Sequence, residues 1–270
     1  MVSIVKIYID AGHGGQDSGA VGNGLQEKNI VLEIARQMNQ ILVTEYENVQ
    51  TAMTRMDDTF VSLSDRANRA NAWGADAFIS IHCNSGGGKG FESYRYSGAS
   101  DSRTIAFQNT VHDHVMGFYS QHGIVDRGKK SANYAVLRET NMIAVLTENL
   151  FMDNVEITKF NDLNFLIGAA RAHAEGVAAF FGLKKKTATQ PQIVYIYTGG
   201  YAGNALVEVH DYLFRTGDGF DCKRGEDGSI IFLIGPFDTS QQNFKDCKNF
   251  LDSKGHYNKL LSPEEAADWR

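Results

Sequence analysis

Four side chains that could bind a metal ion or transfer a proton stand at the ends of predicted elements. His13, His82 and Glu148 each follow or end a short apolar run that is typical of a buried strand. Glu27 begins a helical pattern, where the positive end of the helix dipole favours an ionised carboxylate. If the three strands are parallel neighbours, their carboxyl ends meet at one edge of the sheet, and we expect all four side chains to lie there.

Two histidines, one ligating carboxylate and one free glutamate are the components of a catalytic zinc site, in which three protein ligands leave a position for water. The metal polarises a carbonyl and lowers the pKa of its water, while the free glutamate takes a proton and passes it to the leaving amine. The predicted reaction is amide hydrolysis. Each residue alone has a simpler explanation, such as a surface histidine, and the sequence contains no HExxH motif. Their joint occurrence at one predicted edge favours the metal site.

His13 lies in a glycine-rich segment, IDAGHGGQDSGAVGNGLQEKN, that could instead bind a phosphate. A dinucleotide fingerprint needs GxGxxG, and Gly12 and Gly14 supply its first two glycines. Asp17 occupies the third position, where its charge would repel the ligand, and the segment has no Gly-Lys pair of the Walker type. We therefore interpret the segment as a flexible connection between two metal ligands, His13 and Glu27.

Seven blocks stand in order between residues 4 and 182: IDAGHGG, LQEKN, TR, LSDRANRANAWGADAFISIHCNS, DRGKK, YAVLRET and VLTENLFMDN. In order and spacing they resemble the zinc-dependent N-acetylmuramoyl-L-alanine amidases of the third amidase class. The resemblance implies that His13, Glu27 and His82 bind one Zn²⁺ per catalytic domain and that Glu148 is the catalytic residue. It also implies the substrate, the amide that joins the lactyl group of N-acetylmuramic acid to L-alanine in bacterial peptidoglycan.

Two other functions stay open at this point. A zinc site of the same composition could hydrolyse a different bond of peptidoglycan, as a peptidase or a deacetylase does. A protein whose first domain is catalytically inert could instead only bind the cell wall.

Strand-like runs alternate with helical patterns from residue 4 to residue 183. This alternation predicts an α/β domain with a mixed, largely parallel sheet flanked by helices, of the phosphorylase/hydrolase-like type. The predicted strands are 4–9, 49–54, 77–82, 91–96, 134–137 and 143–148, and the predicted helices are 27–46, 63–73, 102–120 and 164–181.

The chain is predicted to contain two domains. The catalytic domain covers 1–183, a linker without periodicity covers 184–192, and a second domain covers 193–270. Within the second domain, residues 195–201 align with residues 231–237, and each copy continues into a helical pattern and a short strand. Two such copies predict a small ferredoxin-like βαβ-βαβ domain.

The second domain resembles the SPOR-type cell-wall-binding modules, which implies that it binds bacterial peptidoglycan. Its aromatic side chains are numerous, and most are expected to form its core. We expect Tyr201 and Phe237, which occupy equivalent positions of the repeat, to stack on sugar rings.

Charge and hydropathy exclude other partners. The net charge of the 270-residue chain is −6, from 26 Lys and Arg against 32 Asp and Glu, so we expect no nucleic-acid partner. No apolar segment approaches the roughly 18 residues that a membrane helix needs, so we expect no membrane insertion. The N-terminus lacks the pattern of a signal peptide. We therefore expect a protein made in the cytoplasm that acts on the wall after release, as a phage endolysin or a sporulation autolysin would.

Overall fold

The computed structural model of the chain describes residues 4–186 and 192–269. The chain folds into two compact units, and the first of them ends at Lys186. Each unit has its own sheet and its own hydrophobic core.

The first unit contains a six-stranded sheet in the order β4-β1-β5-β8-β6-β7, beside a short hairpin of β2 and β3. Strands β4, β1, β5 and β8 are parallel, β6 is antiparallel to β8, and β7 is parallel to β6. The prediction of a mixed, largely parallel sheet is confirmed. The strands are β1 (Val5–Ala11), β2 (Val21–Gly22), β3 (Leu25–Gln26), β4 (Val49–Met53), β5 (Ala77–Asn84), β6 (Phe91–Tyr96), β7 (Asp126–Ala132) and β8 (Ile143–Phe151).

Helices cover both faces of this sheet. Alternate residues of a strand point to opposite faces, and here the residues on both faces are apolar and must be buried. On one face, Ile7 and Ile9 of β1 belong to the core formed with α1, α3 and α5. On the other face, Tyr8 and Phe78 pack with residues of α2 and α4. The helices are α1 (Glu27–Glu45), α2 (Leu63–Trp73), α3 (Ser102–Tyr119), α4 (Ala135–Arg138) and α5 (Leu163–Phe181), with 3₁₀ turns at Ser120–His122 and Val155–Asn161.

The sequence prediction is wrong between β6 and β8. Residues 134–137, predicted as a strand, contain the start of α4, whose Val136 and Leu137 are buried against the sheet. The strand lies instead at β7, which the sequence pattern does not indicate. Strand β7 is polar because it forms the edge of the sheet beside β6 and exposes alternate residues to solvent.

The first unit continues past the predicted boundary at residue 183. The Glu47 amide donates to Lys184 O (2.9 Å), and the Lys186 amide donates to Glu45 O (2.7 Å). These hydrogen bonds attach the first three residues of the predicted linker to the end of α1. The rest of that linker, apart from Gln192, lies outside the described residues.

The second unit is a four-stranded antiparallel sheet in the order β10-β11-β9-β12, which confirms the ferredoxin-like prediction. The two copies of the repeat give equivalent strands β9 and β11 and equivalent helices α6 and α7, which share one core. A further helix, α8, packs on the other face of the sheet. The elements are β9 (Ile193–Tyr201), α6 (Gly203–Thr216), β10 (Phe220–Arg224), β11 (Ile230–Asp238), α7 (Gln242–Ser253), β12 (Asn258–Leu261) and α8 (Pro263–Trp269).

Tyr201 and Phe237 do occupy equivalent strand positions, but the prediction that they stack on sugars is wrong. Tyr201 is 6% exposed and Phe237 is 2% exposed, because both side chains point into the core under α6 and α7. Exposed aromatic rings of this unit are instead Phe214 on α6, at 69%, and Tyr257, at 62%.

Over the part of the chain that the structure describes, no helix is both long enough and apolar enough to span a membrane.

Candidate metal centre

Two buried arginines fix the backbone that carries His13, two residues beyond the end of β1. Arg55 donates from Nη2 to Gly12 O (2.7 Å), and Arg66 donates from Nη2 to His13 O (2.7 Å). Arg66 also forms a buried ion pair with Asp10 of β1 (2.8 Å). These bonds hold His13 in the left-handed region, with φ of 59°. Sequence reasoning missed both arginines as site residues, although each lies in a block of the family resemblance.

Glu27 is the first residue of α1, and the backbone of the glycine-rich loop sets that start. The amide of Glu27 donates to Ala20 O (3.0 Å), and the amide of Lys28 donates to Ser18 O (3.1 Å). These loop carbonyls replace a side-chain cap, since Gln26 at the N-cap makes no capping hydrogen bond. The Glu27 side chain is buried, and its Oε2 accepts from the Ala20 amide (2.9 Å).

The structure brings His13, Glu27 and His82 together. Glu27 Oε1 lies 3.0 Å from His13 Nε2 and 3.1 Å from His82 Nδ1. One potential ligand atom from each of the three residues lies within 4.8 Å of the other two. The amide of Cys83, next to His82 on β5, donates to the same Oε1 (2.9 Å) and fixes the carboxylate against the strand. The two imidazoles and the carboxylate could therefore hold one metal ion between them.

At two positions of the loop, the side chains of the cluster lie so close to the backbone that only glycine fits. A Cβ on Gly12 would lie 2.3 Å from Cε1 of His82. A Cβ on Gly19 would lie 2.6 Å from Glu27 Oε2 and 2.7 Å from His13 Cδ2, and the φ of Gly19 is +63°. The glycines therefore allow the loop backbone to fold closely around the three side chains.

Asp17, the residue that argues against a phosphate, orients His13. Its Oδ2 lies 2.9 Å from His13 Nδ1, and its Oδ1 accepts from the Gly19 amide (3.0 Å). A histidine that donates from Nδ1 to a carboxylate presents the lone pair of Nε2 to a metal, and such a carboxylate is the usual second partner of a metal-binding histidine.

Glu148 lies directly opposite His82 in the parallel pairing of β5 and β8. Its Oε2 is buried and has no hydrogen-bond partner among the described residues. Burial, together with the negative charges of Glu27 and Glu92, raises the pKa of Glu148 to about 7. The carboxyl is therefore positioned beside the three-residue cluster and is able both to accept and to donate a proton near neutral pH.

The protonation states within the cluster suit a cation. Burial alone would raise the pKa of Glu27, but hydrogen bonds from His13 and His82 outweigh it and hold that pKa well below its usual range. Burial alone would lower the pKa of His13, but Glu27 and Asp17 outweigh it and raise that pKa. The ionised Glu27 thus stands where it can neutralise positive charge held between the two histidines.

The sequence profile of a family described as N-acetylmuramoyl-L-alanine amidase matches residues 7–179, which include all four predicted site residues. The chain belongs to the N-acetylmuramoyl-L-alanine amidase family. Its first unit is accordingly a peptidoglycan hydrolase that cleaves the amide between N-acetylmuramic acid and L-alanine.

Two relatives of this amidase align with it over similar numbers of residues. The sporulation-specific N-acetylmuramoyl-L-alanine amidase of Bacillus subtilis (strain 168) is 50% identical over 187 residues, which are 69% of this chain and 72% of that protein. The endolysin of Bacillus phage SPP1 is 49% identical over 184 residues, 67% of this chain and 68% of that protein.

The amidase also has relatives among solved structures. The N-acetylmuramoyl-L-alanine amidase from Clostridium difficile 630 matches with a TM-score of 0.63 and 31% identity, over 67% of this chain and 98% of that one. The catalytic domain of CwlV from Bacillus (Paenibacillus) polymyxa var. colistinus matches with a TM-score of 0.61 and 35% identity, over 67% and 100%. Each match covers about two thirds of the amidase chain, and the family profile ends at residue 179.

Proposed function

We propose that His13, Glu27 and His82 bind one zinc ion in the first unit, through His13 Nε2, His82 Nδ1 and the Glu27 carboxylate. The observation that carries this proposal is that Glu27 Oε1 lies within 3.1 Å of both imidazole nitrogens. A donor set of two histidines and one carboxylate is typical of catalytic zinc, and the Asp17 contact orients His13 for it. Bound there, zinc supplies a Lewis acid that polarises the scissile carbonyl and lowers the pKa of a water.

Glu148 is the general base and general acid of this proposal. Its unpaired, buried Oε2 takes a proton from the attacking water and delivers it to the nitrogen of the leaving L-alanine. A pKa near 7 suits both steps, because the group must be ionised in the first and protonated in the second.

A chelator experiment tests the metal. The 270-residue chain should clear a suspension of purified bacterial cell walls, the metal chelator EDTA should abolish the clearing, and added Zn²⁺ should restore it. Activity that persists after complete metal removal would overturn the zinc proposal. An absence of any clearing with zinc present would favour the alternative of an inert wall-binding protein.

The products identify the bond. Mass spectrometry of digested peptidoglycan should detect peptides with a free L-alanine amino group together with intact glycan strands. A peptidase would leave L-alanine attached to the glycan, and a deacetylase would release acetate. Family membership supports the amidase over both alternatives.

We infer that the second unit binds the cell wall, on the basis of its resemblance to SPOR-type modules. The exposed rings of Phe214 and Tyr257 replace Tyr201 and Phe237 as candidates for stacking on sugars. In the 270-residue chain with both units, Phe214→Ala and Tyr257→Ala should reduce sedimentation with purified walls. Lys245→Ala, an exposed change on the same unit, should leave sedimentation unchanged. If both aromatic variants sediment like the unmodified protein, these two rings do not bind the wall.

A further inference from the structure

A second charged cluster lies beside Glu148 on the same face of the sheet. Glu92 of β6 is directly opposite Glu148 in the antiparallel pairing with β8, and only 2% of its side chain is exposed. Its Oε2 accepts from Arg127 Nε (2.7 Å) and from Lys130 Nζ. Its Oε1 accepts from the hydroxyl of Tyr94 (2.7 Å).

Sheet register orders these groups in a row across four strands. His82 on β5 pairs with Glu148 on β8, and Glu148 pairs with Glu92 on β6. On β7, Asp126 pairs with Phe91 and Lys129 pairs with Ser93, so Arg127 and Gly128 lie opposite Glu92. Because neighbouring strands lie about 4.8 Å apart, the base of Arg127 is roughly 10 Å from that of Glu148, two strands away.

The cluster carries one uncompensated positive charge. Arg127 and Lys130 share Glu92, and no other carboxylate lies within ion-pair distance of either cation in the described part of the chain. Both cations are partly open to solvent, at 34% and 37% side-chain exposure. Lys129, between them in sequence, pairs with Asp113 (2.7 Å) on the other face of the sheet.

The guanidinium of Arg127 is held in place from several sides. It lies over the ring of Phe151, 4.7 Å from the ring centroid, while its Nε is bonded to Glu92. The preceding residue, Asp126, accepts from the Gly128 amide (2.7 Å) and lies 3.0 Å from the buried Nε2 of His112. A guanidinium fixed in this way loses little conformational entropy when it binds a planar anion.

We propose that Arg127 and Lys130 form a carboxylate-binding subsite that holds the peptide of the leaving group, with Glu92 as the residue that positions both cations. The proposal rests on the proposed function of the site around Glu148. An extended peptide advances about 3.3 Å per residue, so a carboxylate within about three residues of the scissile amide reaches the subsite. A planar carboxylate fits the fork of an arginine guanidinium. Its charge-assisted hydrogen bonds to the partly buried Arg127 and Lys130 are stronger than those of a neutral amide, so the subsite favours the carboxylate.

Two matched substrates test the subsite. One is N-acetylmuramoyl-L-alanyl-D-glutamate γ-methylamide, whose α-carboxylate is free, and the other is the corresponding D-isoglutamine γ-methylamide, in which that carboxylate is also an amide. The measured quantity is the ratio of kcat/KM for the first substrate to that for the second. We expect the unmodified protein to prefer the carboxylate, and Arg127→Gln and Lys130→Met to reduce the ratio about 10- to 100-fold.

Two further variants make the test specific. Lys129→Met removes a cation from the same strand that pairs on the other face, and it should leave the ratio unchanged. Arg127→Lys keeps the charge and should retain an intermediate ratio, which also covers the case in which Arg127→Gln fails to fold. Equal use of both substrates by the unmodified protein, or an unchanged ratio in the Arg127 and Lys130 variants, would overturn the subsite. Failure to cleave either substrate with zinc present would instead count against the proposed function.

Discussion

His82 and Glu148 are direct neighbours on the parallel strands β5 and β8, with their side chains on the same face of the sheet. The strand spacing of about 4.8 Å separates a predicted metal ligand from the predicted proton-transfer group. Rigid strands hold both residues, so their relative position does not depend on a loop. The carboxyl ends of two adjacent parallel strands thus supply one side of the site, while the glycine-rich loop and the start of α1 supply the other.

Glu148→Gln should lower kcat by at least about 100-fold and leave zinc binding intact, because the amide keeps the shape of the carboxyl but cannot accept the proton. Release of product from a muramoyl peptide gives kcat, and elemental analysis gives the zinc content. Glu47→Gln, a change at an exposed residue, should behave like the unmodified protein. A Glu148→Gln protein with full kcat would remove the residue from the mechanism.

Alanine at His13, Glu27 or His82 should abolish stoichiometric zinc binding. Glu27→Ala should also lower the free energy of unfolding by about 1–3 kcal/mol even without metal, because the half-buried amide of Ala20 and the buried amide of Cys83 lose their acceptor. Zinc content after dialysis and the melting temperature of the metal-free protein are the two measurements. One zinc per chain in all three variants would show that the ligands lie elsewhere.

Asp17→Asn should weaken zinc affinity by about 10- to 100-fold without removing any proposed ligand. The asparagine can no longer hold His13 Nδ1–H with a charged acceptor, so the imidazole is less basic and less well oriented. Competition with a coloured chelator measures the affinity. Asp211→Asn, an exposed change in the second unit, should leave it unchanged; equal affinities in the two variants would show that Asp17 only shapes the loop.

Zinc loading near pH 6.5 should release protons from both Glu148 and His13. The pKa of Glu148 is about 7 and that of His13 is raised above 6.5, so each group is more than half protonated before loading, and a nearby dication favours loss of both protons. Calorimetric titration in two buffers of different ionisation enthalpy counts the protons. The Glu148→Gln variant should release fewer protons per zinc ion than the unmodified chain. An unchanged number of protons would contradict the raised pKa of Glu148.

Acid should destabilise the first unit through His173. This side chain is buried, donates from Nδ1 to Ala169 O (2.8 Å), and has a pKa lowered by burial to about 4. The unfolded chain takes up the proton near pH 6.5 while the folded chain does not, so stability is fully present above pH 6.5 and falls as the pH drops towards 4. The loss from this residue amounts to about 3 kcal/mol.

The measurement for His173 is the change in melting temperature of the first unit between pH 7.5 and pH 5. The His173→Gln variant should lose less melting temperature between pH 7.5 and pH 5 than the unmodified chain does. This comparison holds whatever the stability of the variant at pH 7.5. Equal changes would show that other groups cause the acid loss.

The positions of His13, His82 and Glu148 could be predicted because each follows an apolar strand of a parallel sheet, whose ends meet at one edge by geometry alone. Glu27 could be predicted because helical periodicity begins at it. The row from Glu148 to Arg127 could not be predicted, since it depends on the insertion of antiparallel β6 between β8 and β7. Nothing local in the polar sequence of β7 indicates that it pairs with β6.

Other differences also have local causes. The Tyr201 and Phe237 positions are equivalent, as predicted, but a repeat does not indicate which face of its strand is covered, and both rings point inwards. The short apolar run at 134–137 fits a strand or one turn of helix equally well, and contacts with the sheet decide for the helix.

The loop carbonyls of Ser18 and Ala20 fix the residue at which α1 begins, and this start determines the direction of the Glu27 side chain. Each residue of an α-helix advances by about 100° around its axis, so moving the start by a single position would turn the carboxylate away from both histidines. Changes in loop length are therefore compatible with the site only at the tip of the hairpin between Val21 and Gln26, where Gly24 has open space around it. The loop therefore determines which side of α1 carries Glu27. A natural or engineered insertion elsewhere in the loop would leave the fold intact, but Glu27 would no longer lie between the two histidines.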